Sequence, residues 1–323
     1  MQYRIRHVTR FSYERSISES VMEARMQPRN DASQRCLHFG ISTQPSSRVL
    51  MYQDHQGNVV HHFNIPGRHT RLTVTAEAVV DCGPLPELPD GLGPGAWERL
   101  DALTRSGEFW DVLSASPFAR PTPRLDQLSA ELELGRGDDP LVMLRQVTAQ
   151  MYRKFAYSPR ATRVDSPIDE ALGARRGVCQ DFAHIMIALV RPLGVPCRYV
   201  SGYLYREREE TIRSSEGATH AWVEAFLPEL GWVGFDPTND VPLSDRHIRV
   251  ATGRDYADVP PTRGVFKGLS AVRSELAVGV SVGTESVGIA GGAPPFVPWM
   301  SREAPAPLGD LTGPPAQQQQ QQQ

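Results

Sequence analysis

An amphipathic helix followed by three strands, between residues 179 and 236, constrains the fold of this chain most strongly. The helical stretch 179–191 is apolar at intervals of three and four residues, namely at Phe182, Ile185, Met186 and Leu189. Pro192 and Gly194 end the helix, because proline cannot continue it. Three runs with strand character follow, at 196–205, 220–227 and 232–236. A helix followed by antiparallel strands predicts an α+β fold.

The first 81 residues have a different pattern. From Gln2 to Tyr13 apolar side chains alternate with arginines, and residues 72–80 alternate again, as in half-buried strands. Two further strand-like runs, 49–52 and 59–65, flank a turn-rich segment. We therefore expect residues 1–81 to form a small antiparallel β domain.

The remaining chain divides by composition. Residues 82–95 contain four prolines and four glycines, so 82–138 is predicted to be a linker with short helices. A helix with Pro140 in its first turn should open a second domain, the core over 139–285, which a strand at 276–282 closes. The Gly/Pro-rich segment 286–323 ends in seven glutamines and is predicted to be disordered.

Charge and cysteine usage exclude several classes of partner. A net charge of −3 and a pI near 6.3 argue against binding to nucleic acid or an anionic membrane. The amino terminus lacks the apolar run of a signal peptide, and we expect a cytoplasmic protein. The four cysteines form no Cys-x-x-Cys pair, which argues against structural zinc. No cofactor or metal is expected.

Cys179 begins the amphipathic helix directly after a break at Gly177, and a helix amino terminus favours the thiolate form of cysteine. A thiolate nucleophile needs a base and a group that orients the base. A hairpin turn centred near Glu229 would place Trp222 opposite Asp236 and His220 on the diagonal. A slip of one residue would send His220 and Asp236 to opposite faces.

Four sequence blocks resemble those of bacterial transglutaminase-like proteins, a group that often bears the label of cysteine protease. They are Gly177–Ala183, Gly194–Tyr203, His220–Glu224 and Phe235–Thr238. The amino-terminal β segment and residues 246–256 resemble the same subfamily, so the resemblance covers most of residues 1–285. It implies a papain-like, transglutaminase-core fold in which Cys179, His220 and Asp236 are the catalytic residues.

The resemblance further implies acyl transfer through a thioester on Cys179, with a peptide or protein as substrate. We expect hydrolysis of peptide or isopeptide amide bonds; the alternatives are a protein-glutamine transglutaminase with an amine acceptor and a non-catalytic binding module. The backbone N–H of Cys179 is the simplest oxyanion donor. Side chains considered for the oxyanion or the cleft are Gln180, Tyr157 and Trp222. Animal transglutaminases have tryptophan at the position of Gln180 and calcium-binding insertions without counterparts here, so calcium dependence is not expected.

Overall fold

The computed structural model describes residues 1–207, 212–214, 217–268 and 272–284, and the backbone of 318–321. Its strands are β1 (Gln2–Ala24), β2 (Gln34–Gln44), β3 (Val49–Gln53), β4 (Val59–Cys82), β5 (Ala156–Tyr157), β6 (Arg176–Gly177), β7 (Cys197–Leu204), β8 (His220–Leu227), β9 (Gly231–Asp236), β10 (Val241–Pro242), β11 (His247–Gly253), β12 (Thr262–Lys267), β13 (Ser274–Thr284) and β14 (Gln318–Gln321). Its α-helices are α1 (Ala96–Thr104), α2 (Trp110–Leu113), α3 (Pro123–Glu131), α4 (Pro140–Lys154), α5 (Ile168–Ala174) and α6 (Cys179–Val190). Short 3₁₀ turns span Arg191–Leu193 and Tyr256–Asp258.

The chain forms two compact units. The first unit comprises Met1–Gly83, Glu216–Thr219 and Pro260–Gln323, and the second comprises Pro84–Ser215 and His220–Val259. The first unit is an antiparallel sheet in the order β14-β12-β1-β4-β2, with β13 also on β1 and β3 also on β4. The alternation predicted for β1 is confirmed, since Tyr3, Ile5, His7 and Phe11 are all buried. The antiparallel sheet expected for residues 1–81 is therefore present.

Two expectations about the carboxyl-terminal part differ from the structure. β13, predicted to close the catalytic core, pairs with Tyr3–Tyr13 of β1 in the first unit. Gln318–Gln321, predicted to be disordered, forms β14 along the backbone of β12. β13 and β14 each form hydrogen bonds with the edge of a strand that is distant in the sequence. Local composition does not predict which distant strand has an unpaired edge. The rest of the predicted tail, residues 286–317 and 322–323, lies outside the described residues.

The second unit combines helices with a five-stranded sheet in the order β10-β9-β8-β7-β11. The segment predicted as a linker with short helices contributes α1, α2 and α3 to this unit. Asp139 caps α4 by accepting from the backbone N–H groups of Leu141 and Val142, with Pro140 in the first turn. α6 packs against β7 and β8. No helix within the described residues is long and apolar enough to cross a membrane.

The hairpin of β8 and β9 has the predicted register. Val223 pairs with Phe235 and Phe226 with Trp232, which is the register expected from a turn centred near Glu229. Glu229 and Gly231 in the turn both have positive φ, at 63° and 71°, which a tight reversal requires. Residues 220 and 236 therefore lie on the same face of the sheet.

Candidate active site

The start of α6 is held by a buried carboxylate. Asp181, in the first turn, accepts a 2.8 Å hydrogen bond from the backbone N–H of Val178 and another from the Thr162 hydroxyl. A Cβ at Gly177 would lie 2.7 Å from the Asp181 Oδ2 atom, so only glycine fits here. This cap positions Cys179, which is half-buried, at the first position of the helix. Burial raises the pKa of Asp181 to about 6, although the Thr162 and Val178 donors oppose the shift.

His220 begins β8 and Asp236 ends β9, and the two side chains meet. His220 Nε2 lies 2.8 Å from Asp236 Oδ2, and the side chains are 3% and 0% exposed. The Cys179 thiol interacts with the same imidazole. Because Asp236 takes Nε2, the ring nitrogen available to the thiol is Nδ1, which forms no hydrogen bond among the described residues. The structure therefore places the side chains of His220 and Asp236 in contact, with Cys179 near enough to act on the same imidazole.

The electrostatics of the pair favour a charged imidazole beside a carboxylate. Burial alone would lower the pKa of His220, but the Asp236 charge and hydrogen bond, together with Cys179, raise it to about 10. Burial would likewise raise the pKa of Asp236, but His220 and His247 hold it well below its usual range. The imidazole of His220 can therefore carry a positive charge beside Cys179, which is the form that histidine takes in a cysteine–histidine pair that attacks carbonyl carbon.

The turn after β9 supplies further donors to the Asp236 carboxylate. Its Oδ1 atom accepts from the backbone N–H groups of Thr238 and Asn239, at 3.0 and 3.3 Å. Its Oδ2 atom accepts from Asn239 Nδ2 at 2.7 Å. Asn239 Oδ1 in turn accepts from the backbone N–H groups of Arg213 and Ser214. Sequence reasoning missed Asn239; the available signal was an Asp followed three residues later by Asn in a turn.

A second histidine, His247, completes a cluster of metal-ligand type. One atom from each of His220, Asp236 and His247 lies within 4.8 Å of the others. Two ligands of a tetrahedral zinc ion at about 2.0–2.1 Å from the metal lie about 3.3 Å apart. The 2.8 Å separation of His220 Nε2 and Asp236 Oδ2 is that of an N–H···O hydrogen bond. The arrangement thus fits a hydrogen-bonded pair better than two ligands of one metal ion.

The other three residues named from the sequence lie near Cys179 or His220 but differ in setting. Gln180 is buried, and its Nε2 donates to the backbone oxygen of Arg163 at 3.3 Å. Tyr157 is half-buried on β5, paired with Gly177 of β6. Trp222 is fully buried, so it belongs to the core and does not wall an open cleft. It is buried because Gly202, directly opposite His220, leaves room for the indole ring.

The pKa shifts predict how the ion pair contributes to stability at different pH. The pKa of His220 is raised from 6.5 to about 10, so its contribution is complete below pH 6.5 and is lost as the pH rises toward 10. The contribution of Asp236, whose pKa is lowered, is lost instead as the pH falls below about 4. Denaturant unfolding should therefore show the largest stability advantage of the wild type over His220→Gln between about pH 4 and 6.5. A difference that does not change between pH 5 and 10 would contradict the charged pair.

Two family models match this chain. The model of the transglutaminase-like superfamily matches residues 127–237, a range that contains Cys179, His220 and Asp236. The model of the bacterial transglutaminase-like N-terminal region matches residues 3–81.

The similar proteins cover between 37% and 92% of this chain. An uncharacterized protein of Mycobacterium leprae (strain TN) is 33% identical over 279 residues, which is 86% of this chain and 98% of that protein. A protein-glutamine gamma-glutamyltransferase of Pseudomonas aeruginosa is 32% identical over 124 residues, covering 37% of this chain and 19% of that enzyme. The crystal structure of a "putative cysteine protease" from Cytophaga hutchinsonii superposes with a TM-score of 0.65 at 20% identity, covering 92% of this chain and 93% of that one. The two chains share a fold.

Proposed function

The chain belongs to the transglutaminase-like superfamily, and from that membership we propose that it is a cysteine-dependent acyl-transfer enzyme that hydrolyses peptide or isopeptide amide bonds. One observation carries the proposal: a half-buried cysteine at the start of α6 lies beside a buried His220–Asp236 pair whose nitrogen–oxygen distance is 2.8 Å. The three residues have the roles of nucleophile, base and orienting group.

The proposed reaction has two acyl-transfer steps. The Cys179 thiolate attacks the amide carbonyl carbon, a C–S bond forms, and the C–N bond breaks as His220 gives its proton to the leaving amine. Neutral His220 then takes a proton from water, which attacks the thioester; the C–S bond breaks, and a carboxylic acid and the Cys179 thiolate are released beside protonated His220. Asp236 holds the imidazole in the tautomer with hydrogen on Nε2 and stabilises its cationic form. The backbone N–H of Cys179 is the proposed oxyanion donor.

Transfer to an amine is the second candidate. It is supported by the similarity of 124 residues to the Pseudomonas aeruginosa protein-glutamine gamma-glutamyltransferase. In that reaction an amine, in place of water, attacks the thioester, so that the acyl group is transferred to the amine. The chain itself offers few amines, since Lys154 and Lys267 are its only lysines. A non-catalytic binding module is the remaining alternative, and it predicts an unreactive Cys179.

The proposed partner is a peptide or protein substrate. Neither nucleic acid nor a membrane is proposed as a partner. The proposed location is the cytoplasm, with which the four free cysteines are compatible. The acidic balance of the chain, with a net charge of −3, supports the exclusion of nucleic acid.

The reactivity of Cys179 toward iodoacetamide tests whether the protein is a cysteine enzyme. Cys179 should be alkylated at pH 6 far faster than Cys197, whose pKa burial raises to about 12. His220→Ala should slow Cys179 alkylation about 100-fold, because a thiol with an ordinary pKa of about 8.5 is only about 0.3% ionised at this pH. Peptide mapping by mass spectrometry gives the rate at each cysteine, with Cys197→Ala as the control. Equal rates at both cysteines, unaffected by His220→Ala, would mean a binding module.

The acceptor distinguishes hydrolysis from amine transfer. A glutamine-containing peptide is incubated with a labelled primary amine, and the product is identified by mass spectrometry. Free ammonia or a cleaved fragment without amine incorporation supports hydrolysis, whereas the labelled peptide supports a transglutaminase. Cys179→Ala should abolish either product.

A further inference from the structure

His247 lies beside the Asp236 carboxylate although neither the hairpin of β8 and β9 nor α6 contains it. It begins β11, where it pairs with Leu204 of β7. Its Nε2 atom is 3.5 Å from Asp236 Oδ2, and its side chain is 3% exposed. A buried imidazole at this distance from the orienting carboxylate needs a physical explanation.

The tautomer of His247 follows from the turn that precedes it. The backbone N–H of Ser244 donates to His247 Nδ1 at 3.3 Å, so Nδ1 accepts and the ring hydrogen lies on Nε2. The backbone N–H of His247 donates to the oxygen of Ser244 at 3.1 Å, which fixes the same turn. Among the described residues, no atom forms a hydrogen bond with the buried Nε2. An N–H donor therefore faces Asp236 at slightly more than hydrogen-bond distance.

Packing holds the ring in this direction. The Trp222 indole contacts His247 edge to face, with ring centroids 5.5 Å apart and planes at 77°. The charged and titratable groups that act on His247 are Asp236, His220 and Arg249. Burial lowers the pKa of His247, although Asp236 opposes the shift, so the ring is a neutral donor at pH 7.

We propose that His247 is a positioning residue, which donates from Nε2 to Asp236 Oδ2 and holds the carboxylate in place as charge forms on Cys179 and His220. This inference rests on the proposed function. With Asn239 Nδ2 and His220 Nε2, His247 is the third donor directed at Oδ2. Catalytic hydrogen bonds are often long in a free enzyme and shorten in complexes with substrate, which accounts for the 3.5 Å separation.

Two substitutions separate hydrogen-bond donation from packing. His247→Gln keeps an N–H donor at nearly the position of Nε2, whereas His247→Leu keeps apolar volume against Trp222 without a donor. The control is Tyr256→Phe, which removes another buried polar atom, a hydroxyl without a partner among the described residues. The readout is the rate of Cys179 alkylation by iodoacetamide between pH 4 and 9, alongside the unfolding midpoint of each variant.

We expect His247→Leu to slow the alkylation of Cys179 at pH 6 about tenfold. The pH at which the alkylation rate falls on the acid side should rise by about one unit. Both effects follow from the loss of the hydrogen bond that His247 gives to the charged Asp236. His247→Gln should stay within about threefold of the wild type, and Tyr256→Phe should not change the profile. A purely structural role would instead make His247→Leu at least as reactive as His247→Gln, since leucine packs better against the indole.

The outcomes separate this inference from the proposed function. A wild-type Cys179 no more reactive than Cys197 would overturn the proposed function. A reactive wild type whose profile His247→Leu leaves unchanged, or whose loss His247→Gln does not restore, would overturn the role of His247 alone. If a leucine variant does not fold, the comparison of His247→Gln with Tyr256→Phe still applies: a shifted Gln profile at unchanged stability contradicts the proposal.

Discussion

Replacing Asp236 by asparagine is expected to lower kcat for amide hydrolysis by about 10³–10⁴-fold, with a smaller effect on KM. The carboxylate accepts on both oxygens, from two backbone N–H groups at Oδ1 and from His220 Nε2 and Asn239 Nδ2 at Oδ2. Asparagine can satisfy the backbone donors only by turning its NH₂ group toward His220. Nε2 must then accept, so the ring hydrogen moves to Nδ1, and the atom facing Cys179 can no longer take a proton.

In the wild type, the side-chain amide of Asn239 donates to a carboxylate oxygen of Asp236 at 2.7 Å. In the Asp236→Asn variant the same amide faces a second NH₂ group, which cannot accept a hydrogen bond. A loss of about 1–3 kcal/mol in unfolding free energy should accompany the loss of activity. Turnover of a peptide selected by library profiling, measured with denaturant unfolding, checks both effects. Asp240→Asn is the matched control, because the same change at this exposed side chain should leave turnover unaltered. A fully active Asp236→Asn enzyme would remove Asp236 from the mechanism.

Replacing Gly202 by alanine should lower the unfolding free energy by about 3 kcal/mol and reduce the reactivity of Cys179 as well. A Cβ at this position would overlap the backbone oxygen of Ile248 and lie 2.5 Å from the Trp222 ring. The indole is fully buried and its ring centroid is 5.9 Å from that of His220, so its displacement disturbs the base directly. The close-packed interior cannot absorb such an overlap without moving either β11 or the indole.

Denaturant unfolding and Cys179 alkylation at pH 6 measure the two effects of Gly202→Ala. Gly135→Ala serves as the control in the same unit, because a Cβ there would meet no atom within 4 Å and the backbone φ is not positive. Its stability should stay within about 0.5 kcal/mol of the wild type. A stable Gly202→Ala protein would show that the indole has another place to pack.

Most of the candidate site could be predicted from the sequence. Residue periodicity located α6 and the strands after it, and the turn near Glu229 set the register that places His220 and Asp236 on one face. These features depend on neighbouring residues and on a short hairpin, whose geometry follows from its turn. The sequence left open whether Trp222 lies in the cleft or in the core, because its burial depends on the missing side chain of Gly202 one strand away.

The sequence by itself determined the helix that Cys179 begins, the hairpin that joins His220 to Asp236, and the alternation of β1, because periods of 3.6 and 2 are local properties of a chain. Tertiary structure alone decided that β13 pairs with β1, that Asn239 joins residues 213 and 214 to Asp236, and that His247 faces the same carboxylate. Each of these contacts joins segments whose meeting depends on which strand edges and buried polar atoms remain unpaired after the local elements form. Hydrogen-bond satisfaction in the folded interior selects the first two contacts, packing against Trp222 directs the ring of His247, and no local pattern records either.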